Sequence, residues 1–295
     1  MIGYNIEEVL KDGKVDIIAN SIFSSGLENK IQVFDYEDYK TINFGEKLRG
    51  VTDDGTIQYN YNPVGYRCDI FNNKKNGVRV LFSGCSETEG VGNNIGDTWT
   101  RKVYRYLEQN TATDGYFNLG QSGAGYARII SNLINHMKIY GSADYVFILF
   151  PNIARWTEWI NDSEGYNNIG LNPWHEGKKN KDDTDLKRQR DHLINFVVMI
   201  KLFEAFCESN NTKLYWATWD AYDEQNYKIL SSRGIFKNFI SLELPTVEKS
   251  ILNKKNVDKH KTYFFARDNH LGTGWHDYFA DSFIDHLTRS ENANI

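Results

Sequence analysis

The run Tyr145-Val146-Phe147-Ile148-Leu149-Phe150 is apolar at six successive positions and stops at Pro151. A strand with one wet face alternates apolar and polar side chains. A run without alternation is buried on both faces, as in parallel sheets covered by helices. The rest of the chain supports that requirement. Strand-like runs at Val78–Phe82, Tyr116–Leu119, Asp144–Phe150 and Lys213–Thr218 alternate with helical periodicities at about 98–109, 126–140, 184–209 and 274–289. Trp99, Val103, Tyr106 and Leu107 share one helical face, as do Ile129, Ile130, Leu133, Ile134 and Met137, and Tyr278, Phe279, Phe283 and Leu287. The alternation predicts an α/β fold: a three-layer αβα sandwich around a mainly parallel, doubly wound sheet. Residues 1–76 read differently, as short strands and turns such as Ile31–Phe34 and Thr52-Asp53-Asp54-Gly55. They predict a β-rich N-terminal extension, with the α/β domain at 77–295. The stretch 155–183 reads as irregular and 220–262 as mixed.

Ligands of doubly wound sheets sit at the carboxyl ends of the strands, so the residues just beyond each strand carry the functional information. Gly84-Cys85-Ser86-Glu87-Thr88-Glu89-Gly90 comes after the first. The second closes with Asn118-Leu119-Gly120-Gln121-Ser122-Gly123. Pro151-Asn152-Ile153-Ala154-Arg155 comes after the third, and Asp268-Asn269-His270-Leu271-Gly272 precedes the last helix. Together these hold the parts for acyl transfer. A serine at a strand-to-helix turn is exposed near a helix N-terminus, which favours developing negative charge. A backbone N–H and an Asn amide can form an oxyanion hole. A His can take the serine proton while an Asp orients it.

In these blocks the chain resembles the SGNH (GDSL-type) hydrolases, over about residues 62–290. Gly84-Cys85-Ser86-x-Thr88-x-Gly90 is similar to the family's first block and implies Ser86 as nucleophile. Asn118-x-Gly120-x-x-Gly123 is similar to the second and implies Gly123 as a backbone oxyanion donor beside the Ser86 N–H. Asn152 falls at the side-chain oxyanion donor of the third. Asp268 and His270 fall where the family ends with its Asp and His, implying an orienting carboxylate and a base. Asn62-x-x-Gly65-Tyr66-Arg67 resembles a lead-in of some members, phage-encoded ones included. Two positions depart from the pattern: Cys85 replaces the Asp of G-D-S, and one residue separates Asp268 from His270 where the family has two. The resemblance implies an SGNH/flavodoxin-like sheet and a serine esterase removing acetyl or another small acyl group, from a carbohydrate or another small ester, with no metal or organic cofactor. A rival function is a glycan-binding or structural phage-virion protein on the same scaffold.

Each residue has a plainer alternative. Ser86 is also a reasonable helix cap, Gly123 a turn glycine and Asn152 a turn Asn. His276 is the second candidate base. Gly120-Gln121-Ser122-Gly123-Ala124 approaches the G-x-S-x-G elbow, which would make Ser122 the nucleophile. Arg155 is a candidate to close over the site or bind a substrate carboxylate or sulfate, with a surface salt bridge as the alternative. Trp156, Trp159 and Trp174, outside any periodic element, are candidates to stack on sugar rings, or else for packing. Gly90-x-Gly92-x-x-x-Gly96 has the wrong spacing for a dinucleotide loop. His270, His276 and Asp268 form only a remote candidate metal set.

Composition limits the rest. A net charge of −5 argues against coating nucleic acid. Seven Trp, 18 Tyr and 17 Phe suit a surface that handles sugar rings, although AT-rich codon usage produces the same surplus. Cys68, Cys85 and Cys207 are odd in number and contain no C-x-x-C, so neither a disulfide framework nor a structural zinc site is expected. Met1–Lys14 lacks an apolar h-region, and no run is long enough to span a membrane. The expectation is a soluble protein without a signal peptide, cytoplasmic or assembled into a phage particle. The expected partner is an acylated carbohydrate or small ester; nucleic acid and membrane are excluded, and self-association stays open.

Overall fold

A computed structural model describes residues 31–34, 57–153, 155–162, 165–171, 183–244 and 270–292. The strands are β1 (Ile31–Phe34), β2 (Ile57–Asn60), β3 (Val78–Gly84), β4 (Thr113–Asn118), β5 (Tyr145–Phe150), β6 (Trp156–Asp162), β7 (Gly165–Leu171) and β8 (Lys213–Thr218). The helices are α1 (Ser86–Glu89), α2 (Trp99–Asn110), α3 (Tyr126–Tyr140), α4 (Asp183–Ser209), α5 (Ala221–Ser232) and α6 (Thr273–Asn292).

The central sheet has the order β4-β3-β5-β8, and each neighbouring pair is parallel. Trp216 of β8 also bonds its outer flank: its N–H donates to Asn238 O at 3.2 Å, and Ile240 N–H donates to Trp216 O at 2.8 Å. The apolar strands divide by residue parity. Leu81, Phe117, Val146, Ile148, Phe150, Leu214 and Trp216 join one buried cluster with Ile129, Leu133 and Met137 of α3 and Phe196, Ile200 and Phe203 of α4. Val80, Phe82, Tyr116, Phe147, Leu149 and Ala217 join the other, with Trp99, Val103 and Leu107 of α2 and Phe279, Phe283 and Leu287 of α6. Successive side chains of a strand point to opposite faces, so both faces are covered and the architecture is the expected three-layer α/β sandwich.

Three local expectations are corrected or bounded. Residues 156–162 and 165–171, expected as irregular, form an antiparallel ribbon in which Trp156 pairs with Leu171 and Trp159 with Asn168. Trp156 and Trp159 therefore do sit on a regular element. Its Asn- and Gly-rich sequence lacks the apolar alternation by which a strand is recognised. Part of the mixed stretch 220–262 is the helix α5, which buries little apolar surface beyond Tyr227. Its start is fixed by Asp220, whose Oδ1 accepts from Tyr222 N and Asp223 N at 3.0 Å. The β-rich reading near the N-terminus holds where it is described, since β1 pairs antiparallel with β2. Residues of that extension pack on the α/β core, where Tyr66 and Phe71 join the cluster around Leu81.

Candidate active site

β3 connects onward to β4 on one side, and the chain then returns to place β5 on the other. The carboxyl end of β3 is thus the switch point of the sheet, where an open α/β sheet leaves a crevice. Register brings three strand ends level there: Phe82 is opposite Asn118, and Gly84 is opposite Leu149. Gly84 is glycine for a packing reason. A Cβ there would stand 2.0 Å from Thr88 Oγ1 and 2.6 Å from Leu149 O. Cys85 turns the chain, and Ser86 opens the one-turn helix α1, which ends at Gly90 with φ +83°. Four residues make a weak dipole. The useful feature of this turn is its orphan N–H groups, Ser86's among them.

All of α1 is buried, including Glu87, Glu89 and, against the exposed serine expected at this turn, Ser86. Buried carboxylates require partners, and these two have them. Glu87 Oε2 accepts Leu271 N–H at 3.1 Å. Glu89 Oε2 accepts Ser122 N–H at 2.7 Å and Ser122 Oγ–H at 2.6 Å, and its Oε1 accepts the Tyr61 hydroxyl at 2.7 Å. The β4–α3 turn is fastened further. Gln121 N–H donates to Gly84 O at 3.1 Å, and Asn118 Nδ2 donates to Thr88 O at 2.7 Å. Gly123 holds φ +76°, and a Cβ there would meet no atom within 4 Å. Its N–H donates to no other described residue.

Ser122 is therefore not placed as a nucleophile, because both its donors serve Glu89. His276 is not placed as the base. It is fully buried, its Nδ1 accepts Trp99 N–H at 3.1 Å, and its Nε2 lies 3.1 Å from Asn93 Nδ2. Burial lowers its pKa to about 3, so the ring is neutral and structural. His270 precedes Leu271, the residue docked on Glu87, so it arrives at the helix of Ser86 from 184 positions away. Asn93 Nδ2 holds the same segment through Leu271 O at 2.9 Å. Asp268 and Trp174 lie outside the described residues.

Across β5, Asn152 Nδ2 donates to Asp220 Oδ2 at 2.9 Å. A carboxylate only accepts, so this bond fixes which way the amide faces. Ile153 N–H donates to Asp223 Oδ2 at 2.6 Å. Burial, with Asp220 close by, raises the Asp223 pKa to about 7. Trp219, at the end of β8, is a site neighbour that sequence reasoning misses, because a Trp closing an apolar strand looks like one more core ring. Its indole N–H points at Cys85 Sγ at 3.4 Å, and the Arg155 guanidinium lies over its ring at 5.4 Å. Arg155 makes no ion pair among the described residues. Burial raises the Cys85 thiol pKa, which suits packing rather than chemistry.

The fold and site thus define an α/β sandwich with a buried serine at the switch point of its sheet. No protein-family model matches the chain. No curated protein matches it either. Solved structures similar to it include a member of the lipolytic G-D-S-L family from Veillonella parvula, at 15% identity and TM-score 0.40, covering 71% of this chain and 98% of that one. A psychrotrophic esterase from Pseudoalteromonas sp. has 13% identity and TM-score 0.38, with 72% and 98% covered. An acetyl xylan esterase has 17% identity and TM-score 0.40, with 71% and 100% covered. No described helix is long and apolar enough to cross a membrane.

Proposed function

We propose that this chain is a serine ester hydrolase of SGNH type that removes acetyl or another small acyl group, with an acylated carbohydrate as its substrate class. The observation that carries the reading is the bond from Leu271 N–H to Glu87 Oε2, which docks the His270 segment on the residue after Ser86. In this reading Ser86 Oγ attacks the ester carbonyl as His270 accepts its proton. The tetrahedral oxyanion receives hydrogen bonds from Ser86 N–H, Gly123 N–H and the Asn152 amide, donors held in place before the charge develops. His270 returns the proton to the leaving alcohol, and water repeats the sequence to release the acid. Asp268 is assigned to orient His270. Arg155, stacked over Trp219, is assigned to the substrate together with Trp156 and Trp159. No step calls for a metal or an organic cofactor.

Turnover of p-nitrophenyl acetate by wild type and Ser86→Ala tests the assignment. The expected loss is at least about 1000-fold in kcat. Equal rates in the two proteins would refute it. A protein that binds acetylated glycans equally with and without Ser86, and cleaves none, would instead be a glycan-binding module on this scaffold.

A further inference from the structure

We infer that Glu87 and Glu89 are paired positioning residues that bring the base and the oxyanion donor to Ser86 from opposite sides of the nucleophile helix. This rests on the reading of Ser86 and His270 given above. Residues two apart on a helix lie about 200° apart around its axis, so two acids at 87 and 89 face different loops. Each binds the chain neighbour of a site residue. Glu87 takes the N–H of Leu271, next to His270, at 3.1 Å. Glu89 takes the N–H and hydroxyl of Ser122, next to Gly123, at 2.7 and 2.6 Å. Neither loop neighbours α1 in sequence. Bonds to an ionised acceptor are shorter and about twice as strong as neutral ones, so a carboxylate fixes a loop better than an amide of the same shape. Tyr61 completes the Glu89 set, leaving both of its oxygens as acceptors.

The two acids act through different partners, so they separate in a double-mutant cycle with His270→Ala. The readouts are kcat and KM for p-nitrophenyl acetate. In wild type, Glu87→Ala and Glu89→Ala are each expected to lower kcat on the order of 10- to 100-fold with KM nearly unchanged. In the His270→Ala background, Glu87→Ala is expected to cause less than about a twofold further loss, because the group it positions is gone. Glu89→Ala is expected to keep its full factor there, since the oxyanion hole still works without the base. Glu87→Gln, which retains a neutral acceptor for Leu271 N–H, is expected to restore part of the activity lost in Glu87→Ala. Glu89→Gln is expected to restore less, because a single neutral oxygen must then serve both Ser122 donors while the Tyr61 hydroxyl turns to accept from the NH2. If Glu87→Ala does not fold, Glu87→Asp replaces it, keeping the charge but shortening the reach by one CH2. Equal losses from the Glu87 variant with and without His270, or no loss in wild type, would overturn the inference. A His270→Ala protein as active as wild type would instead refute the underlying assignment of the base.

Discussion

Asp223 carries a measurable consequence of how the site is built. Its pKa of about 7 lies above the ordinary carboxylate value because it is buried beside Asp220. Between the unfolded value near 4 and the folded value near 7, the folded chain binds more protons than the unfolded one. Stability therefore falls as pH rises across that window and is level above it. Three pKa units correspond to about 4 kcal/mol at most. Asp223→Asn keeps an acceptor for Ile153 N–H and removes the titration. Urea unfolding from pH 4 to 8 should show a variant that gains on wild type as pH rises to 7. Parallel profiles would contradict the placement of Asp223. This residue was not legible in the sequence, and neither were Glu87 and Glu89. An acid in a helical turn reads as a solvated charge until the loop that buries it is known.

At the scale of elements, two glycines at the site answer to different forces. Gly84→Ala drives a Cβ to 2.6 Å from the backbone oxygen of Leu149, which cannot move without parting β3 from β5. The expected cost is about 3 kcal/mol. Gly123→Ala enters open space but must hold φ +76°, at a cost of about 1 kcal/mol. Urea unfolding would read both costs, and similar losses would contradict the contrast. The strands and α2, α3 and α6 were legible because their apolar spacing reports directly on what they cover. The β6–β7 ribbon and α5 were not. The ribbon lacks an apolar alternation, and α5 buries mainly Tyr227 with Asp223 and Glu224, which carry no apolar periodicity. Ser86 and Gly123 stood out because strand ends in this topology converge. His270 stood out by its place before the last helix and by the resemblance, but the Leu271–Glu87 bond that brings its segment to Ser86 did not, since nothing local announces a contact across 184 positions.

At the scale of the whole molecule, the segment before β3 braces the site. Arg67 is buried, donates to Gly90 O at 2.8 Å and Asn93 O at 2.9 Å, and lies over the Tyr59 ring at 4.1 Å. Asn93 in turn holds Leu271. Arg67→Met keeps the volume and leaves those carbonyls unpaired, at an expected cost of about 2–3 kcal/mol in urea unfolding, with a lower kcat. An unchanged midpoint would show that the lead-in is dispensable. The central claim, that Ser86 is the nucleophile, is tested most directly by reacting the full chain with a fluorophosphonate and identifying the modified peptide. The account predicts a single adduct on Ser86, lost in His270→Ala and retained in His276→Ala. An adduct on Ser122, or none at all, would contradict it.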